Sequence, residues 1–124
     1  MSNQDGSRGG KRGAARVPPS TPADINMFEE KGEYIVRDND GFAVYRYDRD
    51  ADGQSHCAGA CSQEWPPLPA PAGANAVEGW SVIQRADKTR QWAYRGQPLY
   101  TRAKDTPGGA EGDGLGGVWH LLKL

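Results

Sequence analysis

The stretch 41-GFAVYRYDRDADG-53 recurs, with changes, as 96-GQPLYTRAKDTPGG-109. Each copy runs Gly, three residues, Tyr, four residues, Asp, and then a turn containing Gly. A Trp follows each at nearly the same distance: Trp65 lies fifteen residues after Asp50, and Trp119 fourteen after Asp105. Two copies at a period of 55 predict a pseudo-symmetric pair of β units sharing one core, because a half this short cannot bury a core alone.

Working outward, the flanking segments also read as β. "EYIV" and "FAVYRY" flank "RDNDG", whose Asn-Asp-Gly suits a tight hairpin turn. "WSVIQR" and "RQWAY" flank "ADKT" as a second hairpin, "PLYTRA" follows a turn at "RGQ", and "GVWHLLKL" closes the chain as a last strand. Between the hairpins, "CAGACSQEW" predicts a short helical turn stopped by Pro66, followed by a Pro/Ala-rich loop. Upstream, "TPADINMFEEKG" (21–32) predicts a short helix, with Thr21 as its cap, Pro22 in its first turn, Asp24 favoured by the dipole and Gly32 ending it. Ile25 and Phe28 would share its buried face.

Residues 1–22 carry almost no large apolar side chain and much Gly, Ser, Pro and Arg. They cannot offset chain entropy by burial, so they read as a disordered basic leader. The expected fold is therefore mainly β. It is a small antiparallel β domain over residues 23–124, built from two pseudo-symmetric repeats (about 34–68 and 80–124), with a short N-terminal helix and a disordered leader. Seventeen Gly and nine Pro fit a chain of many turns.

Composition removes several functions. The net charge is −1 with both signs interspersed, which is not the electrostatic footprint of a nucleic-acid binder. No apolar run is long enough for a transmembrane helix. Membrane attachment would need an export signal or lipid anchor that this sequence does not contain. There is no Gly-x-Ser-x-Gly elbow, phosphate loop or His-Glu-x-x-His motif.

Several separated motifs resemble the bacterial family known as the secreted repeat of unknown function, marked by Y-x-(F/W/Y)-x-x-D. "YRYDRD" carries the motif in full through Tyr45, Tyr47 and Asp50. "HCAGACSQEWPPL", "WAYRGQPLYTRAKDTPGG" and "GGVWHLLKL" are similar to the family's cysteine segment, second repeat and last strand. The second motif, "YTRAKD", keeps Tyr100 and Asp105 but has Arg102 at the aromatic position. The resemblance implies a β-rich repeat outside the cytoplasm, either periplasmic, lipid-anchored or secreted, and implies no reaction. A native start at Met1 would instead point to the cytoplasm.

Three chemistries meet in 48-DRDADGQSHCAGAC-61. Cys57 and Cys61 are close enough in sequence for a disulfide, which fits an even pair in an exported protein. His56, Cys57, Cys61 and His120 together are a Cys₂His₂ set for zinc or copper, although adjacent His56 and Cys57 rarely point at one ion. Asp48, Asp50 and Asp52, ahead of Gly53, resemble the start of a calcium loop, but Gly59 stands where a bidentate Glu belongs. Against calcium, Asp50 in an Asx-type turn explains its repeat mate Asp105 as well.

The expected function is a non-catalytic extracytoplasmic binding or accessory domain, monomeric, with no cofactor and with an envelope partner or small ligand. The rival is a metal or redox protein holding copper, zinc or non-covalent haem through the His/Cys segment. A weaker rival is an enzyme on cell-wall sugars using Asp50 or Asp105. Tyr45 and Tyr100 are expected as half-buried rings whose hydroxyls find a partner, and the other rings in core packing, with Trp65 capping the core, rather than in an exposed sugar platform.

Overall fold

The computed structural model describes residues 21–74 and 77–124. Among the described residues, seven strands form two antiparallel sheets. A two-stranded sheet pairs β1 (Ile25–Glu30) with β2 (Glu33–Asp38). The five-stranded sheet has the order β4-β5-β6-β3-β7, made of β4 (Trp80–Gln84), β5 (Arg90–Tyr94), β6 (Gln97–Tyr100), β3 (Tyr45–Tyr47) and β7 (Trp119–Leu121). The α-helix among the described residues is α1 (Ala60–Glu64), a single turn stopped before Pro66. The domain is thus mainly β, as its repeats predict.

The repeats interlock. β3 and β6 pair antiparallel with Tyr45 directly opposite Tyr100, so the pseudo-twofold axis passes between the two motif tyrosines. Each repeat then sends its tail across to the other. After Trp65, Leu68 donates its amide to Leu99 O and accepts from Trp92 N, joining repeat one to β6 and β5. After Trp119, β7 pairs with β3, and the Leu122 amide bonds Val44 O. Val44 and Leu99 are themselves 55 residues apart, so these two crossings are copies of each other.

Strand alternation splits the interior in two. Val44 and Leu99 face one cluster with Ile25, Val36, Leu68, Trp80, Trp92 and Leu122. Tyr45 and Tyr100, one residue on, face a second cluster with Ala43, Cys57, Trp65 and Trp119. Apolar burial of this kind supplies the main driving force for folding.

The helix expected over 21–32 is a strand. Lys31 (φ 54°) and Gly32 (φ 81°) both lie in the left-handed region, which makes a two-residue hairpin turn that pairs Glu30 with Glu33. The Gly that looks like a helix stop is therefore a turn residue. Ile25 and Phe28, three apart, fall on opposite faces of the strand: Ile25 is buried and Phe28 is 45% exposed. Thr21 Oγ1 donates to Ile25 O instead of capping a helix. Most of the expected leader lies outside the described residues, but Thr21 and buried Pro22 belong to the fold, with Pro22 O accepting from Ile25 N.

The "RDNDG" turn forms, with Asp38 Oδ1 accepting the amides of Asp40 and Phe42. The hairpin it closes is only a minimal one, however. β2 ladders along its length with β1, and the pairing across the turn is short, an Arg37–Ala43 bridge flanked by Asp38 N to Phe42 O and Val44 N to Val36 O, while Ile35 bridges Lys123. The β4–β5 hairpin and the Arg95–Gly96 turn into β6 form as the sequence predicts.

Candidate functional site

The motif residues converge at the pseudo-twofold axis. Trp65 and Trp119 stack face to face at 3.8 Å and 3°. Tyr47 lies on the outer face of Trp119 at 4.1 Å and 14°. On the outer face of Trp65 sits the Arg102 guanidinium, 5.9 Å from the ring centroid. Arg102 thus fills the second motif's aromatic position with another planar group that stacks on a Trp. Tyr45 and Tyr100 meet Trp65 and Trp119 edge-on, each pair at 5.2 Å. As expected for core packing, all four Trp side chains are buried.

The Tyr–Asp pairs cross between repeats. Tyr45 OH donates to Asp105 Oδ2 at 2.5 Å, and Tyr100 OH donates to Asp50 Oδ2 at 2.6 Å. Both tyrosines are 0% exposed, buried more deeply than the half-buried rings expected, and both hydroxyls find a partner as expected. Burial first, and the neighbouring carboxylates second, push both phenols well above their ordinary pKa, so they remain hydrogen-bond donors. Asp105 Oδ1 also meets Arg102 Nη1 at 3.2 Å. Gly112 closes this half by donating its amide to Tyr45 OH. A Cβ there would come within 2.8 Å of both Arg102 and Trp65, so the position requires glycine.

The other half has a longer network. Asp50 Oδ1 accepts the His56 amide at 2.6 Å, a bond that spans six residues of the loop rather than the two of an Asx turn. Arg85 Nη1 donates to Ser55 Oγ, which contacts Tyr100 OH at 2.6 Å. Arg85 also donates to Gln91 Oε1 and Cys57 O. A directed chain of donors therefore runs from the Arg85 cation through Ser55 and Tyr100 to the Asp50 anion. Arg85, Ser55 and Gln91 escape a reading of the sequence, because an arginine at a hairpin end looks the same whether solvated or buried.

Burial raises the Asp50 pKa, while hydrogen bonds from Thr89 and from His120 hold Asp87 and Asp48 below the usual carboxylate range. The raised group makes the folded state the better proton binder, so stability should rise as pH falls from neutral through the Asp50 pKa toward the unfolded value of 3.8. The lowered groups contribute above 3.8 and lose that contribution as pH falls through their folded values. Urea unfolding across pH 3–7 should show a maximum in mild acid. Asp50→Asn should flatten its neutral side, and an unchanged slope would contradict the assignment.

Cys57 and Cys61 form a disulfide with Cα atoms 5.2 Å apart, packed against the Tyr45/Trp65 cluster. Both sulfurs are thereby withdrawn as thiolates from the proposed metal set. His56 Nδ1 bonds Arg49 O, and His120 Nε2 bonds Asp48 Oδ2 at 2.7 Å. Asp48 further pairs with Arg46, and Asp50 is committed to Tyr100 and His56. Asp52 instead lies against Gly96, where an added Cβ would come 1.6 Å from Asp52 Oδ1. Among the described residues, no group of three or more His, Cys, Asp or Glu is arranged to hold a metal ion. Removing the disulfide as Cys57→Ser/Cys61→Ser should cost about 2 kcal/mol by loop entropy. A loss under about 0.5 kcal/mol in urea unfolding would place α1 under other constraints.

A surface groove of about 360 Å³ opens beside this network. Its walls are Gly53–Ser55, Ala58, Gly59 and Ser62 on the disulfide loop and Ile83–Asp87 at the end of β4. It brings apolar surface and the Arg85 side chain together in one concavity open to solvent.

The repeated architecture and its paired Tyr/Asp signature define a two-repeat secreted-type β domain. Residues 29–69 and 81–123 match the family described as a secreted repeat of unknown function, and the chain belongs to that family. Searches of curated proteins and of solved structures found no match.

Proposed function

We propose that this protein is a non-catalytic binding or accessory module acting outside the bacterial cytoplasm, with an envelope partner or a small ligand. One observation carries the reading: the signature side chains are spent on each other. Tyr45, Asp105, Tyr100, Asp50, Trp65 and Trp119 hold the repeats together across the axis. A signature directed inward specifies a scaffold and leaves recognition to the surface. The family's secreted character and the Cys57–Cys61 disulfide agree with an oxidising compartment.

The rival readings have less support. A metal or redox role through His56, Cys57, Cys61 and His120 lacks the thiolates it needs while the disulfide is intact. A glycosidase role needs a carboxylate free to act as acid or nucleophile. Both Asp50 and Asp105 accept short bonds from buried phenols instead.

Two measurements test the proposal. In protein taken from its own cells and acid-quenched, Cys57 and Cys61 should alkylate only after reduction, whereas free thiols would place it in a reducing compartment. Incubation with cell-wall polysaccharide should give no turnover. Turnover that disappears in a folded Asp50→Asn or Asp105→Asn variant would overturn the non-catalytic assignment.

A further inference from the structure

Four described arginines are buried or half-buried, and three of them touch a carboxylate. Arg37 lies 3.6 Å from Glu30, Arg46 2.8 Å from Asp48 and Arg102 3.2 Å from Asp105. Arg85 is the exception. Its contacts are a serine hydroxyl, a glutamine carbonyl and a main-chain carbonyl, all neutral. Three acceptors meet the five N–H groups of a guanidinium, and its buried Nε has no partner. Two carboxylates feel its charge without touching it: Asp50, linked through Ser55 and Tyr100, and Asp87, two residues on. Holding a cation this way costs desolvation that its direct contacts do not offset with opposite charge.

The same guanidinium lines the groove between the disulfide loop and the end of β4. Around it, Ile83, Ala58 and Ala86 supply apolar wall, while Gln54, Gln84, Ser55 and Ser62 supply neutral polar groups. The other charged residue of the lining is Asp87, whose Oδ1 is engaged by the Thr89 amide and hydroxyl. A fixed anion at that end opposes a multiply charged ligand such as a phosphate but tolerates a single negative charge set against Arg85. A wall with both apolar and polar parts is the usual composition of a small-ligand site.

We propose that this groove binds a small monocarboxylate with an aliphatic body, of the kind presented by the C-terminal residue of a short peptide, with Arg85 as the carboxylate's partner. The ligand would supply the anion that Arg85 lacks, in a charge-assisted hydrogen bond that Arg geometry favours. Its aliphatic body would lie against Ile83 and Ala58. This assignment rests on the binding-module reading and names the ligand class for it. The disulfide loop forms one wall, so the groove's shape depends on the Cys57–Cys61 bond.

The test uses two probes with the same body and different charge, N-acetyl-leucine and N-acetyl-leucinamide, titrated into ¹⁵N-labelled full-length protein. The acid should shift the amides of Gly59, Ile83 and Arg85 saturably, and the amide should bind about tenfold or more weakly. Ala58→Asp, at an exposed wall position, should abolish the acid's shifts while leaving the melting temperature unchanged. Arg85→Lys, which keeps the charge but loses the planar fork, should weaken binding without abolishing it. Absence of saturable shifts from the acid, or equal shifts from acid and amide, would overturn the carboxylate assignment. Either result would leave the module reading to be judged by the thiol and turnover measurements, which do not involve the groove.

Discussion

Trp119→Ala should destabilise the domain by about 3–5 kcal/mol, the usual cost of removing a large buried aromatic ring. The ring is stacked on both faces, by Trp65 at 3.8 Å and by Tyr47 at 4.1 Å, and Tyr100 meets it edge-on. Its deletion also weakens the start of β7, where Trp119 pairs with Tyr47. Because that strand carries repeat two's tail back to repeat one, the loss should be global. Urea unfolding followed by far-UV circular dichroism should remain a single transition with a lower midpoint. A cost below about 1 kcal/mol would mean that the stack is incidental to the fold.

The second large effect is expected at Asp105. Its side chain is fully buried, and it is the acceptor for both the Tyr45 hydroxyl and the Arg102 guanidinium. Asp105→Ala strands a buried phenol proton and removes the partner of a mostly buried cation, which together should cost about 3–5 kcal/mol. Asp50→Ala should be milder, about 1–2 kcal/mol. Asp50 is only half-buried, burial already disfavours its charge, and Tyr100 keeps Ser55 beside its hydroxyl. The pseudo-symmetric pair should therefore respond asymmetrically. Equal losses would show that Ser55 and Arg85 do not support Tyr100 as described.

Much of this was legible in the sequence because the repeat is. The period of 55 marks Tyr45 and Tyr100 as equivalent positions, and the structure sets them opposite each other across the axis. The even cysteine pair gives the disulfide, and the turns at "ADKT" and "RGQ" mark out β5 and β6. The N-terminal strand was not legible. Gly32 ends helices and makes turns equally well, and Ile25 to Phe28 is a helical spacing that strand pairing with β2 overrides. Nor was the crossing of the Tyr–Asp bonds. Tyr45 is five residues from Asp50 and sixty from Asp105, and local sequence favours the near partner. Arg102 reads as a lost aromatic because its stacking partner Trp65 belongs to the other repeat. Arg85 carries no sequence signal at all, since its partners come from two distant segments, the Ser55–Cys57 loop and Gln91 on β5.

The central claim, that each motif tyrosine is bound to the aspartate of the other repeat, is tested most directly by two double-mutant cycles on stability. Tyr45→Phe combined with Asp105→Asn should show a coupling of about 1–2 kcal/mol, as directly bonded residues do. Tyr45→Phe combined with Asp50→Asn, from one motif copy, should be additive within about 0.5 kcal/mol. Strong coupling within the same repeat, and none across the repeats, would contradict the interlocked arrangement.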